Sequence, residues 1–152
     1  SLTKTGEKLS KSNADLFEAI FDAYVFKFNW CYYDGYGDND IAQVGFGYSL
    51  YLLLKFGNEQ QLESFYAEKY FKAFPFLKGS MMNNSYGILD KYISDCYSLR
   101  TFERILYYLG LVALEPVQNE YRVNKIKITE SFNKLFTFVP EKAVTIDKMH
   151  FN

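Results

Sequence analysis

Six residues in the C-terminal half of the sequence have the side chains that a nucleic-acid or partner surface requires. They are Arg100, Arg104, Tyr107, Arg122, Lys125 and Lys127. The two arginines Arg100 and Arg104 are four residues apart, so a helix over 99–109 would present both on one face. In a DNA-binding protein such a face contacts base edges while nearby cations hold phosphates. The same residues could instead form a surface that faces solvent or a protein partner.

The charge of this region is weak for a protein that reads DNA. Residues 85–138 carry seven basic and six acidic side chains, a net charge of +1, and Glu103 adjoins Arg104. Over the whole chain, 17 basic and 18 acidic residues leave a net charge of -1. Duplex-binding proteins usually present a stronger basic surface. A structural or protein-facing role for the arginines is therefore the first interpretation, and DNA binding is the alternative.

A second candidate surface is a cluster of aromatic residues beside a glycine-rich loop at 34–40. The cluster consists of Trp30, Tyr32, Tyr33 and Tyr36. Rings in such a cluster can stack on bases or sugars. The chain has 14 tyrosines, 15 phenylalanines and one tryptophan, so most of its rings must fill the core. We nevertheless expect part of this cluster to line a groove.

The aspartates of the 34–40 loop do not match a calcium site. Asp34, Asp38 and Asp40 suggest one, but an EF-hand that began at Asp34 would have Asn39 at its sixth position and Gly45 at its twelfth. The twelfth position must supply a carboxylate, and glycine cannot. The sequence predicts a turn followed by a helix cap instead.

Patterns typical of catalysis are missing from the sequence. Its single histidine, His150, lies two residues from the end and excludes a multi-histidine metal site. Asp15, Glu18 and Asp22 form an acidic stripe, but the Glu-x-x-His motif of di-iron bundles does not follow. No nucleophile elbow, phosphate-binding Gly-Lys motif, dinucleotide fingerprint or zinc spacing occurs. We therefore predict a non-enzymatic protein with no catalytic residue, metal or cofactor, although carboxylates and tyrosines alone can catalyse.

The composition is that of a folded intracellular domain. The chain has 152 residues, of which 49% are hydrophobic and 23% charged, enough for one compact domain or two small units. Cys31 and Cys96 are predicted to be buried thiols in a reducing cytoplasm. No signal peptide opens the chain, and the apolar stretch within 44–54 is too short to span a bilayer. Because the chain starts with Ser1, we expect a fragment or a processed protein. The cysteines, the missing signal peptide and the short apolar stretch predict a cytoplasmic protein without membrane contact.

The spacing of apolar residues predicts three helices in the first half of the chain. They cover 14–30, 41–56 and 59–74. Asp40 and Gln43 have the spacing of a capping box for the second helix. Gly45 and Gly47 weaken that helix and are expected to let another backbone approach closely. The second and third helices should form a tight αα-hairpin.

In the second half the apolar period changes from helical to strand-like. Helices are predicted over 86–97, 99–109 and 130–137, and strands over 111–114 and 123–129. Ser98 is the expected cap of the second of these helices, Gly110 its end, and Thr129 the cap of the last helix. Residues 75–84 are predicted to be a connector and 139–152 a tail.

Helix, turn, helix, glycine, strand, turn and strand is the order of elements in a winged helix. Residues 98–112 resemble the recognition helix and first wing strand of bacterial winged-helix regulators, which often have a polar cap, a helix with exposed arginine and then Leu-Gly-Leu-Val. The resemblance covers about 85–137. Together with the helices predicted from the apolar spacing, it gives a mainly α fold, in which a helical bundle with an αα-hairpin precedes a winged-helix-like unit with one small β-hairpin.

Two further resemblances concern the rest of the chain. Residues 2–9 align with 128–135, the segment in which a winged helix leaves its wing and starts the next helix. Residues 1–13 therefore resemble the exit segment of an upstream winged-helix unit. Because the match is only eight residues long, chance similarity is the alternative. The whole chain also resembles an uncharacterised bacterial family. That resemblance rests on 28–30, 34–36, 45–47 and 65–70. It implies architecture and no activity.

These observations predict four regions and two possible functions. The regions are an exit segment at 1–13, an aromatic-rich helical part at 14–84, a winged-helix-like unit at 85–138 and a tail at 139–152. The first function is a non-enzymatic interaction module that binds a protein partner or itself. The alternative is a DNA-binding transcriptional regulator that uses helix 99–109 and a wing at 111–129.

Overall fold

The structure, a computed structural model, describes residues 3–37, 40–79 and 86–137. It confirms a mainly helical fold with a small β-hairpin, to which a short third strand is added. No helix within these described ranges is long and apolar enough to cross a membrane. The predicted tail at 139–152 lies outside the described residues.

The first predicted helix is divided into three pieces. Helix α2 (Asn13–Asp22) continues into a π-helical segment (Ala23–Lys27), and after the non-helical residues Phe28 and Asn29 the short helix α3 (Trp30–Asp34) follows. The amide of Phe28 donates to the carbonyl of Ala23 at 2.8 Å, a bond that spans five residues rather than four. The prediction of one helix over 14–30 is therefore wrong, because this wider turn ends the regular ladder.

Two short N-terminal caps are built alike at opposite ends of the chain. Thr3 accepts from the amide of Gly6 at the start of helix α1 (Lys4–Leu9). Thr129 accepts from the amide of Phe132 at the start of the last helix, Glu130–Leu135. Within the matching segments, 3–9 and 129–135 therefore share one local structure, a threonine cap followed by a six-residue helix. The predicted cap at Thr129 is confirmed.

The second predicted helix begins later than its pattern indicates. The turn α4 (Asp40–Gln43) is interrupted, because Ile41 is extended and Ala42 has a φ of 76°. Regular helix begins only with α5 (Phe46–Phe56). The predicted capping box is wrong, since the side-chain Nε2 of Gln43 instead donates to the backbone carbonyls of Tyr24 and Phe28 at 3.4 and 3.1 Å. This side chain satisfies carbonyls near the end of the π-helical segment.

The predicted αα-hairpin contains an extra strand in its connection. After α5, the two-residue strand β1 (Gln61–Leu62) precedes helix α6 (Glu63–Ala73), and the single turn α7 (Phe76–Gly79) follows. Helices α5 and α6 pack against each other. Tyr70 of α6 stacks on Tyr97, with ring centroids 4.3 Å apart. This contact joins the hairpin to the following helix through the core.

The predicted turn between helices 86–97 and 99–109 is absent. Helix α8 (Tyr86–Ser98) passes directly into a second π-helical segment (Leu99–Leu106), and Ser98 has helical angles of -62° and -47°. Ser98 thus caps nothing, which corrects the prediction. The amide of Tyr107 donates to the carbonyl of Phe102 at 2.8 Å, again five residues back. The wider turns change which side chains face the core.

The β-hairpin lies where the sequence predicts it. Strands β2 (Val112–Pro116) and β3 (Asn124–Ile128) are antiparallel, with Leu114 opposite Ile126, and β1 pairs with the other edge of β3. Gly110, with a φ of 69°, separates the helical stretch from β2, as expected. Helix α9 (Glu130–Leu135) follows β3. The buried face of the sheet, which includes Ile126, completes the core beneath the helices.

Candidate binding site

Arg100 is a buried ion-pair residue and not part of an exposed surface. Its side chain has no solvent exposure, and that of Asp34 is 5% exposed. Its Nε donates to Asp34 Oδ2 at 2.7 Å and its Nη2 to Oδ1 at 2.9 Å, which makes the pair bidentate. The assignment of Arg100 to a nucleic-acid or partner surface is therefore wrong. The second π-helical segment turns this side chain into the protein.

Backbone breaks on two other elements complete the environment of this arginine. Nη1 of Arg100 donates at 3.2 Å to the carbonyl of Ile41, where the extended backbone interrupts α4. Asp34 Oδ1 also accepts from the amide of Tyr36 at 3.0 Å. Burial on its own would lower the pKa of Arg100, but the hydrogen bonds and charge of Asp34 outweigh it and the pKa is raised. The charged pair thus holds α3, α4 and the second π-helical segment together.

The feature best suited to binding is a cleft of about 400 Å³ that we call the aromatic cleft. Its lining comprises five aromatic rings and one cation. These are Tyr24, Phe28, Trp30, Tyr33, Arg104 and Tyr108. The volume lies within the range of about 300–1,000 Å³ that is typical of ligand pockets. The first π-helical segment, helix α3 and the C-terminal end of the second π-helical segment build this cleft.

The aromatic wall of the cleft is packed before any ligand arrives. The ring centroids of Phe28 and Trp30 are 4.7 Å apart, those of Phe28 and Tyr33 5.5 Å, and those of Trp30 and Tyr33 6.0 Å, all edge to face. The indole Nε1 of Trp30 donates to the carbonyl of Tyr24 at 3.0 Å. Interlocked rings of this kind restrict side-chain rotation. The wall can therefore receive an apolar group with little ordering cost.

Unlike Arg100, Arg104 has no polar partner among the described residues. Its guanidinium carbon lies 5.8 Å from the centroid of the Tyr33 ring. Within the described part of the chain it makes no ion pair or hydrogen bond, and the adjacent Glu103 does not pair with it. Its Nε is shielded from solvent without an acceptor. The terminal nitrogens are not buried to the same extent, and the residue lines the cleft.

Of the four predicted groove residues, two line the cleft. Trp30 and Tyr33 belong to it, with Trp30 only 2% exposed at its base and Tyr33 56% exposed. Tyr32 is 91% exposed and is not part of the lining. Tyr36 packs on Tyr92 with centroids 4.7 Å apart, and burial raises its pKa. The grouping of these four as one groove is therefore wrong for Tyr32 and Tyr36.

Three lining residues were assigned to neither candidate surface from the sequence, and a fourth, Arg104, was assigned to the nucleic-acid or partner surface. Tyr24 and Phe28 lie at the first π-helical segment, where the helical period predicts core packing for both. Tyr108 follows the second π-helical segment and is 67% exposed. A signal for Tyr108 existed, because it follows Tyr107 and lies four residues after Arg104. The π-helical geometry that brings these lining residues together leaves no recognisable pattern in the sequence.

The remaining predicted surface residues lie on and before the hairpin. Lys125 is directly opposite Glu115 in the β2–β3 register, and Lys127 is exposed opposite Ala113. The guanidinium of Arg122 lies 5.3 Å from the ring centroid of Tyr121. The prediction that these residues share one surface with Arg100 is wrong, because Arg100 is inside the core. Tyr107, 52% exposed, packs against Tyr108 with centroids 6.2 Å apart.

A second depression, of about 360 Å³, has a mostly polar lining that contains one ion pair. Its lining includes Lys78 and Asp90, whose charged groups lie 3.0 Å apart. No group of three or more metal-ligating side chains occurs among the described residues. The aromatic cleft is therefore the stronger candidate. Comparisons of the chain with protein-family models, with curated proteins and with solved structures find no match.

Proposed function

We propose that this protein is a non-enzymatic interaction module that binds a protein partner at the aromatic cleft. The partner inserts a bulky apolar side chain between the rings of the cleft. The observation that carries the proposal is the packed wall of Phe28, Trp30 and Tyr33. Tyr33 in this wall and Tyr108, which also lines the cleft, remain more than half exposed. Interfaces are enriched in tyrosine, tryptophan and arginine at their centres.

The size and charge of the cleft support a peptide segment over nucleic acid. About 400 Å³ accommodates one or two side chains. Proteins that bind single strands combine stacking rings with a charged groove that follows several phosphates. The described lining contains one cation, Arg104. One cation beside five rings suits an apolar anchor with a single charge better than a phosphate backbone.

The DNA-binding alternative has less support. It requires Arg100 and Arg104 to be exposed on one face, but Arg100 is buried and paired with Asp34. Lys125 lies opposite Glu115 in the hairpin register, which lowers the local positive charge. A duplex-DNA reader would have to use Lys127 and Arg122 with little help from the helix. A duplex oligonucleotide therefore belongs in the binding experiment as a competing probe.

The experiment is a selection of random displayed peptides on the full chain, followed by affinity measurement. Trp30 is the only tryptophan and lies in the cleft, so its fluorescence reports occupancy directly. We expect selected peptides to share a bulky apolar residue and to change this fluorescence on binding. Tyr108→Ala should weaken them roughly 10-fold, as expected for an interface hot spot.

Tyr121→Ala is the matched control for this variant. Tyr121 is 84% exposed in the turn before β3 and is not part of the cleft lining. Its replacement should leave the affinity within about 2-fold, since exposed contacts outside a binding site contribute little. Peptides that bind both variants equally, or a duplex that binds more tightly than any peptide, would overturn the proposed function.

A further inference from the structure

Arg104 lines the aromatic cleft, and its three guanidinium nitrogens are not equally accessible. Its Nε is closed off from solvent, while the terminal nitrogens Nη1 and Nη2 are not. The guanidinium is planar, and its two terminal nitrogens form a fork that matches the two oxygens of a carboxylate. The accessible approach is therefore end-on, with one oxygen at each terminal nitrogen.

No carboxylate of the described chain takes up this position. Arg104 has no ion pair there, whereas Arg100 only one helical turn earlier has a bidentate one. The other five lining residues are aromatic, and none of them is a carboxylate. The positive charge in the cleft is therefore uncompensated by its own walls. An incoming anion would meet both a cation and a partly dry, apolar surrounding, where ionic hydrogen bonds are strong.

We infer that Arg104 makes the aromatic cleft selective for a protein segment that carries a carboxylate next to its bulky apolar side chain. This inference rests on the proposed function and names the chemistry of its partner. The apolar side chain packs on the wall of Phe28, Trp30 and Tyr33. The carboxylate, from Asp, Glu or a chain terminus, binds Nη1 and Nη2 of Arg104. The ring of Tyr33, 5.8 Å from the guanidinium carbon, holds the arginine in place.

A phosphate could bind the same two nitrogens of Arg104, but its charge does not match that of the cleft. A phosphorylated segment carries a charge of nearly two, and the described lining offers one cation. Sites for phosphorylated peptides usually combine several arginines. A singly charged carboxylate matches the charge of the cleft. A phosphoserine version of each selected peptide distinguishes the two groups in the same assay.

The test compares selected peptides with their uncharged counterparts on two forms of the protein. In each peptide the acidic residue is changed from Glu to Gln, or the terminal carboxylate to the amide, which keeps the shape and removes the charge. With wild-type protein we expect a loss of roughly 10- to 100-fold in affinity, as for a charge-assisted hydrogen-bonded pair. With Arg104→Gln, acid and amide should bind within about 2-fold of each other.

Two controls keep the outcomes distinct. Arg104→Lys retains the charge but not the fork, so it should recover only part of the acid preference. Circular dichroism and melting temperature of both variants establish that they fold. If acid and amide peptides bind wild-type protein equally, or if phosphoserine peptides bind more tightly, the carboxylate inference is wrong and the proposed function stands. If no peptide occupies the cleft, as judged by Trp30 fluorescence, both fail.

Discussion

Asp34 and Arg100 lie 66 positions apart in the chain and form a bidentate ion pair inside the protein. The carboxylate is at the C-terminal end of α3, and the guanidinium projects from the second π-helical segment. Buried pairs of this kind overcome a large desolvation cost only when their geometry is good. Further contacts to the pair come from the amide of Tyr36, the carbonyl of Ile41 and the ring of Tyr36.

Removing one charge of this pair should strongly destabilise the fold. Asp34→Asn leaves the guanidinium buried without a counter-charge, so we expect the free energy of unfolding to fall by about 3–5 kcal/mol. Urea unfolding followed by circular dichroism measures this change. The double variant Asp34→Leu with Arg100→Met should be less destabilised than the sum of its single variants, since it removes both charges.

Lys91→Met supplies the comparison for an exposed pair. Lys91 and Asp95 are 2.9 Å apart, and their side chains are 74% and 51% exposed. Loss of such a pair should cost less than about 1 kcal/mol. A similarly small cost for Asp34→Asn would mean that water reaches the Arg100 pair and that it does not organise the fold.

Features of the fold that depend on neighbouring residues can be predicted from the sequence, whereas the Asp34–Arg100 pair cannot. Strand alternation in β3, the glycine at 110 and the cap at Thr129 depend on neighbouring residues, and all three are confirmed. Arg100 depends on a partner 66 residues away and on five-residue hydrogen bonds that a 3.6-residue period does not anticipate. Its spacing from Arg104 suggested a shared exposed face, but a π-helical turn separates their environments.

The candidate site was predictable in composition but not in arrangement. The sequence indicated that some of the rings near Trp30 line a groove, and Trp30 and Tyr33 do. Their association with Arg104 could not be predicted, because it joins helix α3 to the second π-helical segment, which is distant in sequence. Strand β1, only two residues long, was likewise missed, since its pairing with β3 comes from tertiary contact rather than from an alternating pattern.

The hydroxyl of Tyr70 should stabilise the break in α4. It accepts from the amide of Ala42 at 3.3 Å and donates to the carbonyl of Val44 at 2.5 Å, across a residue with a φ of 76°. Tyr70→Phe leaves these buried backbone groups without that partner and should lower the free energy of unfolding by about 1–3 kcal/mol. Hydrogen exchange should show faster exchange at Ala42. Tyr121→Phe, at an exposed site, should change neither quantity.

Gly45 and Gly47 should respond oppositely to the same substitution. Gly45 has a φ of 67°, and a Cβ there would overlap the ring of Phe74. Gly45→Ala combines a left-handed backbone with overpacking, so a loss of about 2–4 kcal/mol is expected. The neighbour that approaches Gly45 is thus a ring, where a backbone was expected. Gly47→Ala, with no atom within 4 Å of its new methyl group, should be neutral or stabilise α5 by up to about 1 kcal/mol.

Thermal unfolding of the two glycine variants separates these effects. A loss in both would indicate that flexibility at the start of α5 matters rather than the Phe74 contact. In that case Phe74→Leu would not rescue Gly45→Ala. If the overlap dominates, the smaller side chain should recover part of the lost stability, because it frees space for the new Cβ.

Glu63 should make the protein less stable as the pH rises. Its Oε2 is buried with no hydrogen-bond partner in the part of the chain that the structure describes, and its Oε1 accepts from the amide of Asn124 at 3.3 Å. Burial raises its pKa from 4.5 to about 7, which outweighs the lowering by Asn124, and Glu103 and Asp95 raise it further. Between pH 4.5 and 7 the folded state therefore binds more protons than the unfolded state. The free energy of unfolding must then fall as the pH rises across this interval.

The variant Glu63→Gln tests this carboxyl group directly, because it mimics the protonated form at every pH. It should match wild type near pH 4 and exceed it by on the order of 2 kcal/mol at pH 8, where wild type must keep a buried charge. Urea unfolding at a series of pH values measures both curves. Glu59→Gln, at an exposed position four residues earlier, should run parallel to wild type. If the Glu63→Gln and wild-type curves are also parallel, the carboxyl group is hydrated in the folded state and its proton does not influence stability.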